Sequence, residues 1–448
     1  MRDFILVVFV IGSAPVCLVN PYFGVMMWYW VSYFNPHRFT WSYGYNFPVA
    51  LFVAVPTLIG TIFAQKSMRS LIVRESLLLG AIWGWFALTY INAQKTPFFQ
   101  GHMSDAAYEM SHISKILLMT FVMLLVINTR EKLRGVMLVT AASLGLLAVK
   151  GTIFGLRTTG ESRVWGPSDS FLADNNALGL ALNMCLPLLF FLARDEKNKY
   201  LKWLLRICFL CSVLSVILTY SRGGLLGLAV VLGAITLKSK HKVAGTVLLT
   251  TAALITLSFA PGEWMDRMSR FMKGNLDSSA NQRLVAWETA WRFVQDYPIA
   301  GGGFDTLPDV NVFQRYKLRD LPEGFPSTAP HSIYFQLLSD QGFVGTGLFL
   351  GMIASCLWSL WRIRRMCREL PSVSWLVDYT HMIEISILAF MVSGAFLGFV
   401  YLDVIYQMVA TVVVIKILFR KSVSEYVGQL EENASPAVLM PEEVATPA

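Results

Sequence analysis

The chain has 448 residues, of which 55% are hydrophobic and 15% are charged, and its formal net charge is +8. With a mean hydropathy of +0.53, its apolar surface exceeds what one soluble core buries, which excludes an ordinary soluble protein. Because the basic residues form short clusters between apolar runs and no continuous stripe, the positive charge indicates membrane topology and not nucleic-acid binding.

The first 34 residues form an apolar stretch without the features of a cleavable signal peptide. Met1-Arg2-Asp3 is hardly a charged n-region, and no small-residue cleavage site follows, so the stretch is expected to stay as a membrane segment. If Arg2 is cytoplasmic, residues 4–34 cross once, as a broken helix or with the aromatic half lying in the outer interface. Two crossings from an outside N-terminus are the alternative.

Further apolar runs are long enough to cross a hydrocarbon core of roughly 30 Å, which takes about 20 helical residues. They lie near residues 47–65, 75–94, 113–129, 133–150, 172–193, 202–219, 223–237, 243–260, 333–360, 383–399 and 402–419. Lipid leaves no water to satisfy an open backbone, so we predict an all-α, polytopic membrane protein of about 12 helices.

The loops between these runs alternate in their content of Lys and Arg. Basic clusters lie at 66–74, 130–134, 194–206, 238–242, 362–368 and 420–421, and the positive-inside rule makes these loops cytoplasmic. The non-cytoplasmic segments are then 95–112, 151–171, the turn Ser221–Gly224 and the long stretch up to Pro330.

The chain divides into four predicted regions. These are an N-terminal membrane region of about nine spans (1–260), a large loop subdomain (261–330), C-terminal membrane helices (331–420) and a disordered cytoplasmic tail (421–448). Within the loop we predict an amphipathic helix from about Asn281 to Gln295, closed by Pro298 and three glycines. Its apolar residues at helical spacing are Leu284, Trp287, Trp291 and Val294.

Several cations lie on the predicted non-cytoplasmic face, which should be poor in them: Lys150, Arg157, Arg163, Arg222, Arg267, Arg270, Arg283 and Arg315. Arg222 stands where two spans meet, and backbone N–H groups at the start of the second span, with the Ser221 hydroxyl, would suit an anion. Snorkelling of Arg222 to lipid headgroups is the alternative. Arg283 opposes the helix macrodipole, which an external anion would explain; a solvated surface arginine is the alternative.

His331 follows Pro330 where the long outer segment re-enters the membrane. A neutral imidazole suits a general base near neutral pH, while a helix-capping role is the alternative. His102 and His112 share a loop without the spacing of a metal cage and are interpreted as interfacial. Because no Asp-x-Asp cluster is found, we expect no metal and no cofactor, with arginines holding any phosphate.

Motifs between residues 150 and 350 resemble the O-antigen ligase and polymerase superfamily. They are weak singly but specific in this order: Lys150-Gly151, Arg163-Val-Trp-Gly166, Asp174-Asn175-Asn176, Tyr220-Ser-Arg-Gly-Gly224, Asn281 to Trp287, Pro298 to Phe304 and Pro330 to Gly342. The aromatic N-terminal 46 residues resemble the exosortase-associated O-glycosylation ligase branch.

The resemblance implies a metal-independent, inverting glycosyltransferase of the bacterial inner membrane that acts on the periplasmic face. The donor would be a glycan on undecaprenyl diphosphate, and the acceptor hydroxyl would belong to lipid A-core in a ligase, to a growing glycan in a polymerase, or to a protein in an O-oligosaccharyltransferase. A lipid-linked-glycan transporter is the alternative from another class, although no paired repeats are found.

Residue by residue, the resemblance assigns His331 as the catalytic base and Arg222 and Arg283 as ligands of the donor diphosphate. Arg163 and Lys150 match the family's cations less firmly. Ser221 is a possible support. Asn176 is another possible support. The family often has proline in the middle position of this motif, where this chain has Asn175, and the role of Asn176 is therefore left open.

Overall fold

The computed structural model describes residues 1–64, 72–238, 278–318, 326–367 and 373–434, with residues 242, 245–247, 250, 251 and 254. The described residues form helices and turns and no strand. Eight of the described helices are long and apolar enough to cross a membrane, and Val49–Phe63 is a shorter apolar one. The protein is therefore an all-α polytopic membrane protein, and the count of about 12 spans stays a prediction.

The helices follow the predicted apolar runs closely. They are α1 (Arg2–Val19), α2 (Pro21–Phe34), α3 (Val49–Phe63), α4 (Arg74–Gln94), α5 (Met103–Val126), α6 (Arg130–Arg157), α7 (Asn175–Asp195), α8 (Lys199–Leu218), α9 (Arg222–Lys238), α10 (Ser278–Asp296), α11 (Val310–Tyr316), α12 (Ile333–Cys367), α13 (Leu376–Gly394) and α14 (Asp403–Ala434). Most of the predicted run 243–260 and residues 261–277 and 319–325 of the loop subdomain, with Arg267 and Arg270, lie outside the described residues.

Helix α1 runs parallel to α3. At its start, the Asp3 carboxylate accepts hydrogen bonds from the backbone N–H groups of Ser42 (2.9 Å) and Gly44 (3.0 Å), shortly before α3 begins. At its end, the Leu18 carbonyl packs so closely on Gly60, near the end of α3, that no methyl group would fit there. Both ends of α1 therefore lie beside the matching ends of α3.

Helix α2 returns in the opposite direction after a break at Asn20. The Tyr22 hydroxyl packs on Gly135, near the start of α6. At the other end of α2, the Tyr33 hydroxyl donates to Gln407 Oε1 (2.8 Å), near the start of α14. Residues 2–34 thus form an antiparallel pair instead of one crossing helix, and the N-terminus lies on the side of residues 42–44. The alternative with two crossings fits this arrangement.

Helix α7 is the central element of the bundle. It packs against α6, α8, α9 and α13, and 89% of the residues in its apolar stretch are buried. A helix that is apolar on all sides, as α7 is, belongs in such a core. Its first residues, Asp174 to Asn176, are held by this packing at one end of the bundle.

The antiparallel bundle has two ends with different contents. At one, here called the site end, α6, α8 and α13 finish and α7, α9, α12 and α14 start. At the other, here called the basic end, lie the described members of the predicted cytoplasmic Lys and Arg clusters, among them Arg134, Arg194, Lys238 and Arg364. The site end carries the residues singled out above for chemistry.

Helix α10 agrees in position with the predicted amphipathic helix, but its buried stripe coincides with the predicted one only in part: Val294 is buried and Trp287 half-buried as expected, while the other two predicted residues are not. Val285, Ala286, Phe293 and Val294 are buried, whereas Leu284 is 46% exposed. Trp291 is also exposed and meets Phe343 edge to face. The prediction of an amphipathic helix is confirmed, and two of the four residues predicted for its buried face are exposed.

The glycine turn after α10 packs against a kink in α12. Gly302 and Gly303 N–H groups donate to the carbonyls of Ser339 and Asp340, both at 2.9 Å. Gly342, at the kink, has a positive φ of 64°, a conformation that glycine adopts without a Cβ penalty. The turn thereby fixes the direction of the first part of α12.

Helix α14 continues to Ala434, well into the segment from residue 421 that we predicted to be a disordered tail. The segment from Ser424 to Ala434 contains no proline and several residues of good helix propensity, so nothing local ends the helix before Pro436. The remainder of the predicted tail, 435–448, lies outside the described residues.

Candidate functional site

His331 occupies an unusual backbone conformation just before α12. Its φ is +45°, in the left-handed region, which is uncommon for a residue other than glycine and costs on the order of 1–3 kcal/mol. Since α12 begins at Ile333, His331 stands two residues before the helix and Ser332 lies between them. The surrounding structure must hold His331 in place.

Two contacts provide that hold. The Trp287 indole Nε1–H donates to the carbonyl of Pro330 (2.7 Å). On the other side, a methyl group added to Gly398 would lie 3.4 Å from both the N and Cα atoms of His331. His331 is therefore fixed between α10 and the turn that joins α13 to α14, here called the 395–402 turn.

The His331 imidazole is exposed to ligands, yet its protein surroundings lower its pKa from the usual 6.5. Partial desolvation is the main cause, the Arg283 guanidinium lowers the pKa further, and the Asp174 carboxylate raises it. The imidazole is therefore neutral at neutral pH and able to accept a proton. The three side chains lie close enough to influence one another.

Arg283 is positioned by the aromatic packing of α10. It lies one helical turn before Trp287, whose ring stacks on Phe335 of α12 (centroids 5.1 Å apart, planes at 10°). The same indole lies 6.4 Å from the Phe396 ring in the 395–402 turn. Arg283 is half-buried, so its cation faces the region around His331 from a firmly packed helix.

Arg222 begins α9 beside the same turn. Tyr220, just before it, has a φ of +54°, which turns the chain sharply between α8 and α9. A methyl group added to Gly223 would lie 3.2 Å from Phe396 Cβ. Arg222 is half-buried, and its helix start contacts the 395–402 turn that also contacts His331.

Ser221 has a structural role that the sequence did not reveal. Its hydroxyl oxygen accepts a hydrogen bond from the Gly224 N–H (3.1 Å), as an N-cap of α9. The residue is 2% exposed. Its burial leaves little room for direct contact with an external phosphate, and the Gly224 N–H is already occupied by the cap, so the turn offers fewer free N–H groups than we expected.

The start of α7 lies beside the start of α9. Asp174 Oδ1 accepts hydrogen bonds from the N–H groups of Asn176 (2.8 Å) and Ala177 (3.2 Å), capping α7. The Asn175 side-chain amide donates to the Thr219 carbonyl (2.8 Å) in the turn before α9. Two helix N-termini, each a partial positive charge, thus meet at the site end. Asn176 is half-buried in the first turn of α7.

Arg163 and Lys150 lie at the edge of this group. Arg163 is exposed, next to Val164, whose N–H donates to the Leu218 carbonyl (3.0 Å) at the end of α8. The Lys150 ammonium lies 4.0 Å from the centre of the Phe39 ring, a cation–π contact that accounts for its position without a ligand. Arg283 and Asp174, by contrast, lie close enough to His331 to shift its pKa.

Three site features were not recognised from the sequence. Gly398 touches His331, but a glycine between two apolar runs gives no signal of its own. Asp174 was read only as part of a motif, although an N-cap signature, an Asp directly before an apolar run, was present. Trp287 was read as part of an apolar stripe, whereas its indole N–H holds Pro330.

His102 was expected at the interface, and it is buried instead. Its Nδ1 lies 3.0 Å from the Asp309 carboxylate, and both side chains are almost completely enclosed. The pair fastens the segment before α5 to the segment before α11, so its role is structural. In the part of the chain that the structure describes, no group of three His, Cys, Asp or Glu side chains is arranged to hold a metal ion.

Comparison with known families gives two matches along the chain. Residues 207–350 match the family described as O-antigen ligase. This match, over about a third of the chain, supports a relation to the O-antigen ligase superfamily. Residues 1–197 match a family of unknown function, and no curated protein matches the chain. O-antigen ligases are glycosyltransferase-like and use lipid-linked glycans and acceptors in general.

The candidate site combines both matched regions. The ligase domain contributes Arg222, Arg283 and His331, and the region that matches the family of unknown function contributes Lys150, Arg163 and the start of α7. The 395–402 turn lies beyond both matches. The site is therefore completed only when the membrane helices of the whole chain pack together.

Proposed function

We propose that the chain is an O-antigen ligase that transfers a glycan from undecaprenyl diphosphate to a hydroxyl of lipid A-core on the periplasmic face of the bacterial inner membrane. The observation that supports it most directly is the grouping of a neutral, exposed His331 with the Arg283 cation, on a strained backbone, inside a ligase-family domain. Strain maintained by packing is typical of functional positions.

In this proposal His331 acts as the general base. Its imidazole accepts the proton of the acceptor hydroxyl while the acceptor oxygen bonds to the anomeric carbon. The bond from that carbon to the diphosphate oxygen breaks on the opposite face, so the configuration inverts in one displacement. The diphosphate departs with the electron pair, and no general acid is required because it is a good leaving group.

Arg222 and Arg283 stabilise the charge that develops on the departing diphosphate. Guanidinium groups suit this role because their planar fork binds phosphate oxygens in pairs. The N-termini of α7 and α9 add partial positive charge at the same end of the bundle. With these fixed charges the reaction needs neither a metal nor a cofactor, and Arg163 and Lys150 are proposed to assist from the edge.

The test is reconstitution of the purified chain in lipid nanodiscs with undecaprenyl-diphosphate glycan. Lipid A-core, a second glycan and a protein are offered as acceptors in separate reactions, with the His331→Ala variant as the control. We expect transfer to lipid A-core that depends on His331. Transfer only to the glycan or only to protein would make the chain a polymerase or an O-oligosaccharyltransferase.

A transporter is distinguished in the same preparation. If no acceptor is modified but the lipid-linked glycan moves between leaflets of sealed vesicles, the proposed transfer chemistry is overturned. Loss of that movement in the Arg222→Ala variant would then assign the cations to a translocation path.

A further inference from the structure

A cavity of about 240 Å³ opens at the site end between α2, the start of α3, α5 and the start of α14. Its lining includes Tyr108 and His112 of α5, Phe171 before α7, and Asp403 at the start of α14. Most of the lining belongs to residues 1–197, the region that matches a family of unknown function. The ligase domain of residues 207–350 contributes none of it.

Three buried polar atoms in this cavity have no hydrogen-bond partner among the described residues: Asp403 Oδ1, His112 Nδ1 and His37 Nδ1. Asp403 is 9% exposed, and its other carboxylate oxygen accepts from the Ser32 hydroxyl. Oδ1 lies 3.8 Å from His112 Nε2, too far for a hydrogen bond. Buried polar groups are normally satisfied, so these atoms indicate a polar ligand or ordered water.

Aromatic rings form the wall beside these atoms. Phe171 stacks on the His112 ring, with centroids 3.3 Å apart and planes at 8°, and lies parallel to the Tyr108 ring at 6.2 Å. Tyr108 lines the cavity and is 64% exposed, so its ring is accessible to a ligand. Apolar walls with a few convergent polar groups are the usual composition of a small-molecule site.

The charge of this cavity differs from that of the candidate site around Arg222 and Arg283. It contains one carboxylate, Asp403, and one ammonium, Lys115, so its charges nearly balance. A buried carboxylate oxygen repels phosphate and accepts hydrogen bonds from hydroxyl groups. The fitting ligand is therefore a neutral, hydroxyl-rich ring with apolar faces, which is the chemistry of a sugar residue, and not the donor diphosphate.

Two chain segments connect the cavity to His331. Phe171 lies three residues before Asp174, whose carboxylate influences the His331 imidazole. Asp403 lies three residues after Val400, whose N–H donates to Gln336 Oε1 (3.3 Å) in the first part of α12. A ligand in the cavity would thus lie next to the segments that hold the candidate base.

We propose that this cavity binds a sugar residue of the acceptor, next to the hydroxyl that is glycosylated. The inference rests on the proposed transfer function, and it gives a role to residues 1–197: they recognise the acceptor, while residues 207–350 hold the donor and the base. Tyr108 and Phe171 pack against the sugar ring, and Asp403 and His112 bond to its hydroxyl groups.

The first experiment varies acceptor concentration at fixed donor in nanodiscs, with the acceptor on which the wild type is active. Asp403→Ala and Tyr108→Ala should raise the KM for the acceptor, Asp403→Ala by about 10- to 100-fold, since a hydrogen bond to a charged group is lost. The KM for the donor should stay unchanged. Tyr43→Ala is the matched control, because Tyr43 is similarly exposed at the same end, at 59%, but outside the cavity.

An unchanged KM for the acceptor in a folded Tyr108→Ala protein would overturn the inference. A raised KM for the donor with an unchanged KM for the acceptor would also overturn it, because the cavity would then bind the lipid-linked donor. Tyr108 is exposed, so its removal should leave folding intact, and this variant decides the matter if Asp403→Ala is unstable.

The second experiment separates this inference from the proposed reaction. Saturation-transfer NMR, without donor, measures contact between the protein and methyl glucoside, methyl mannoside and N-acetylglucosamine. We expect signals for at least one sugar that weaken in Tyr108→Ala and persist in Tyr43→Ala. Binding without any transfer activity would refute the ligase reaction but keep the sugar site, whereas no binding of the three sugars would refute the site itself.

Discussion

The two ends of the helical bundle treat their charges differently. At the basic end, cations pair with carboxylates from other helices: Arg134 with Asp195 and Glu196, Arg194 with Asp378, Lys238 and Arg364 with Glu384, and Lys416 with Glu75. At the site end, Lys150 lies on an aromatic ring and Arg163 is exposed. Pairing between helices stabilises the fold at the basic end, whereas the exposed Arg163 is accessible to an external anion.

The backbone shows the same contrast. The non-glycine residues with positive φ in the described chain are Asn35, Thr159, Asp169, Tyr220, Asp305 and His331, and all of them lie at the site end or in its loops. Such conformations cost on the order of 1–3 kcal/mol each and concentrate where a structure serves a ligand. The basic end is built for stability, and the site end carries strain.

The largest effect is expected from a substitution of His331, which should impair the chemistry of the site end and leave the basic end intact. His331→Gln should lower turnover by about 100- to 10,000-fold, because glutamine keeps hydrogen-bonding capacity but cannot take the proton. Donor binding should persist. The measurement is kcat for transfer beside donor affinity in nanodiscs. A folded His331→Gln protein with wild-type turnover would show that the residue only shapes the helix start.

At the basic end, an effect of similar size is expected on the free energy of unfolding and not on turnover. Glu75 is fully buried and bonds to the Lys416 ammonium and to the hydroxyls of Ser355 and Ser359, each at 2.7 Å. Glu75→Gln leaves a partly buried cation uncompensated, which costs about 3–5 kcal/mol. Thermal unfolding in detergent should occur at a clearly lower temperature, with turnover per folded molecule unchanged.

The control for that variant is Glu425→Gln. Glu425 pairs with Lys421 at 3.8 Å on an exposed helix face, where ion pairs contribute little. Equal destabilisation by the two changes would contradict the view that burial makes the basic end strong.

Removal of the site-end arginines should weaken use of the donor. Arg222→Ala and Arg283→Ala each lose charge-assisted hydrogen bonds worth about 1.5–3 kcal/mol, so kcat/KM for the donor should fall about 10- to 150-fold. Arg222→Lys should recover only part, because lysine lacks the planar fork. Arg292→Ala is the matched control on the same helix, since Arg292 pairs with Glu288. Normal donor kinetics in both Ala variants would refute the diphosphate role.

The pH profile offers a smaller and sharper test. Activity should fall on the acidic side as His331 becomes protonated. Arg283 lowers the pKa of His331 and Asp174 raises it, so Arg283→Ala should move the acidic limb to higher pH and Asp174→Asn to lower pH. Asparagine is also a good N-cap, which preserves α7. Shifts in the same direction for both variants would contradict the assignment of His331 as the base.

The smallest expected effect is that of chelation. Because the cations proposed to hold diphosphate are part of the chain, excess EDTA should leave the transfer rate unchanged. Activity that is lost to EDTA and restored by magnesium or manganese would replace the arginines by a metal ion as the main phosphate ligand.

The sequence by itself determined the positions of the helices. Apolar runs of about 20 residues and the Lys and Arg clusters between them are local signals, since each run must satisfy its own backbone in lipid. For that reason the run 223–237 appears as Arg222–Lys238 and the run 75–94 as Arg74–Gln94. The resemblance to the O-antigen ligase superfamily was also legible, because its motifs follow one another along the chain.

The tertiary structure alone decided which side chains meet. Whether residues 2–34 cross once or twice depends on contacts of α1 with α3 and of α2 with α6 and α14, which no local pattern encodes. The same holds for Ser221, which serves as a cap, and for the grouping of His331 with Arg283 and Asp174. These relations arise from packing between segments far apart in the chain, and hydropathy describes each segment only by itself.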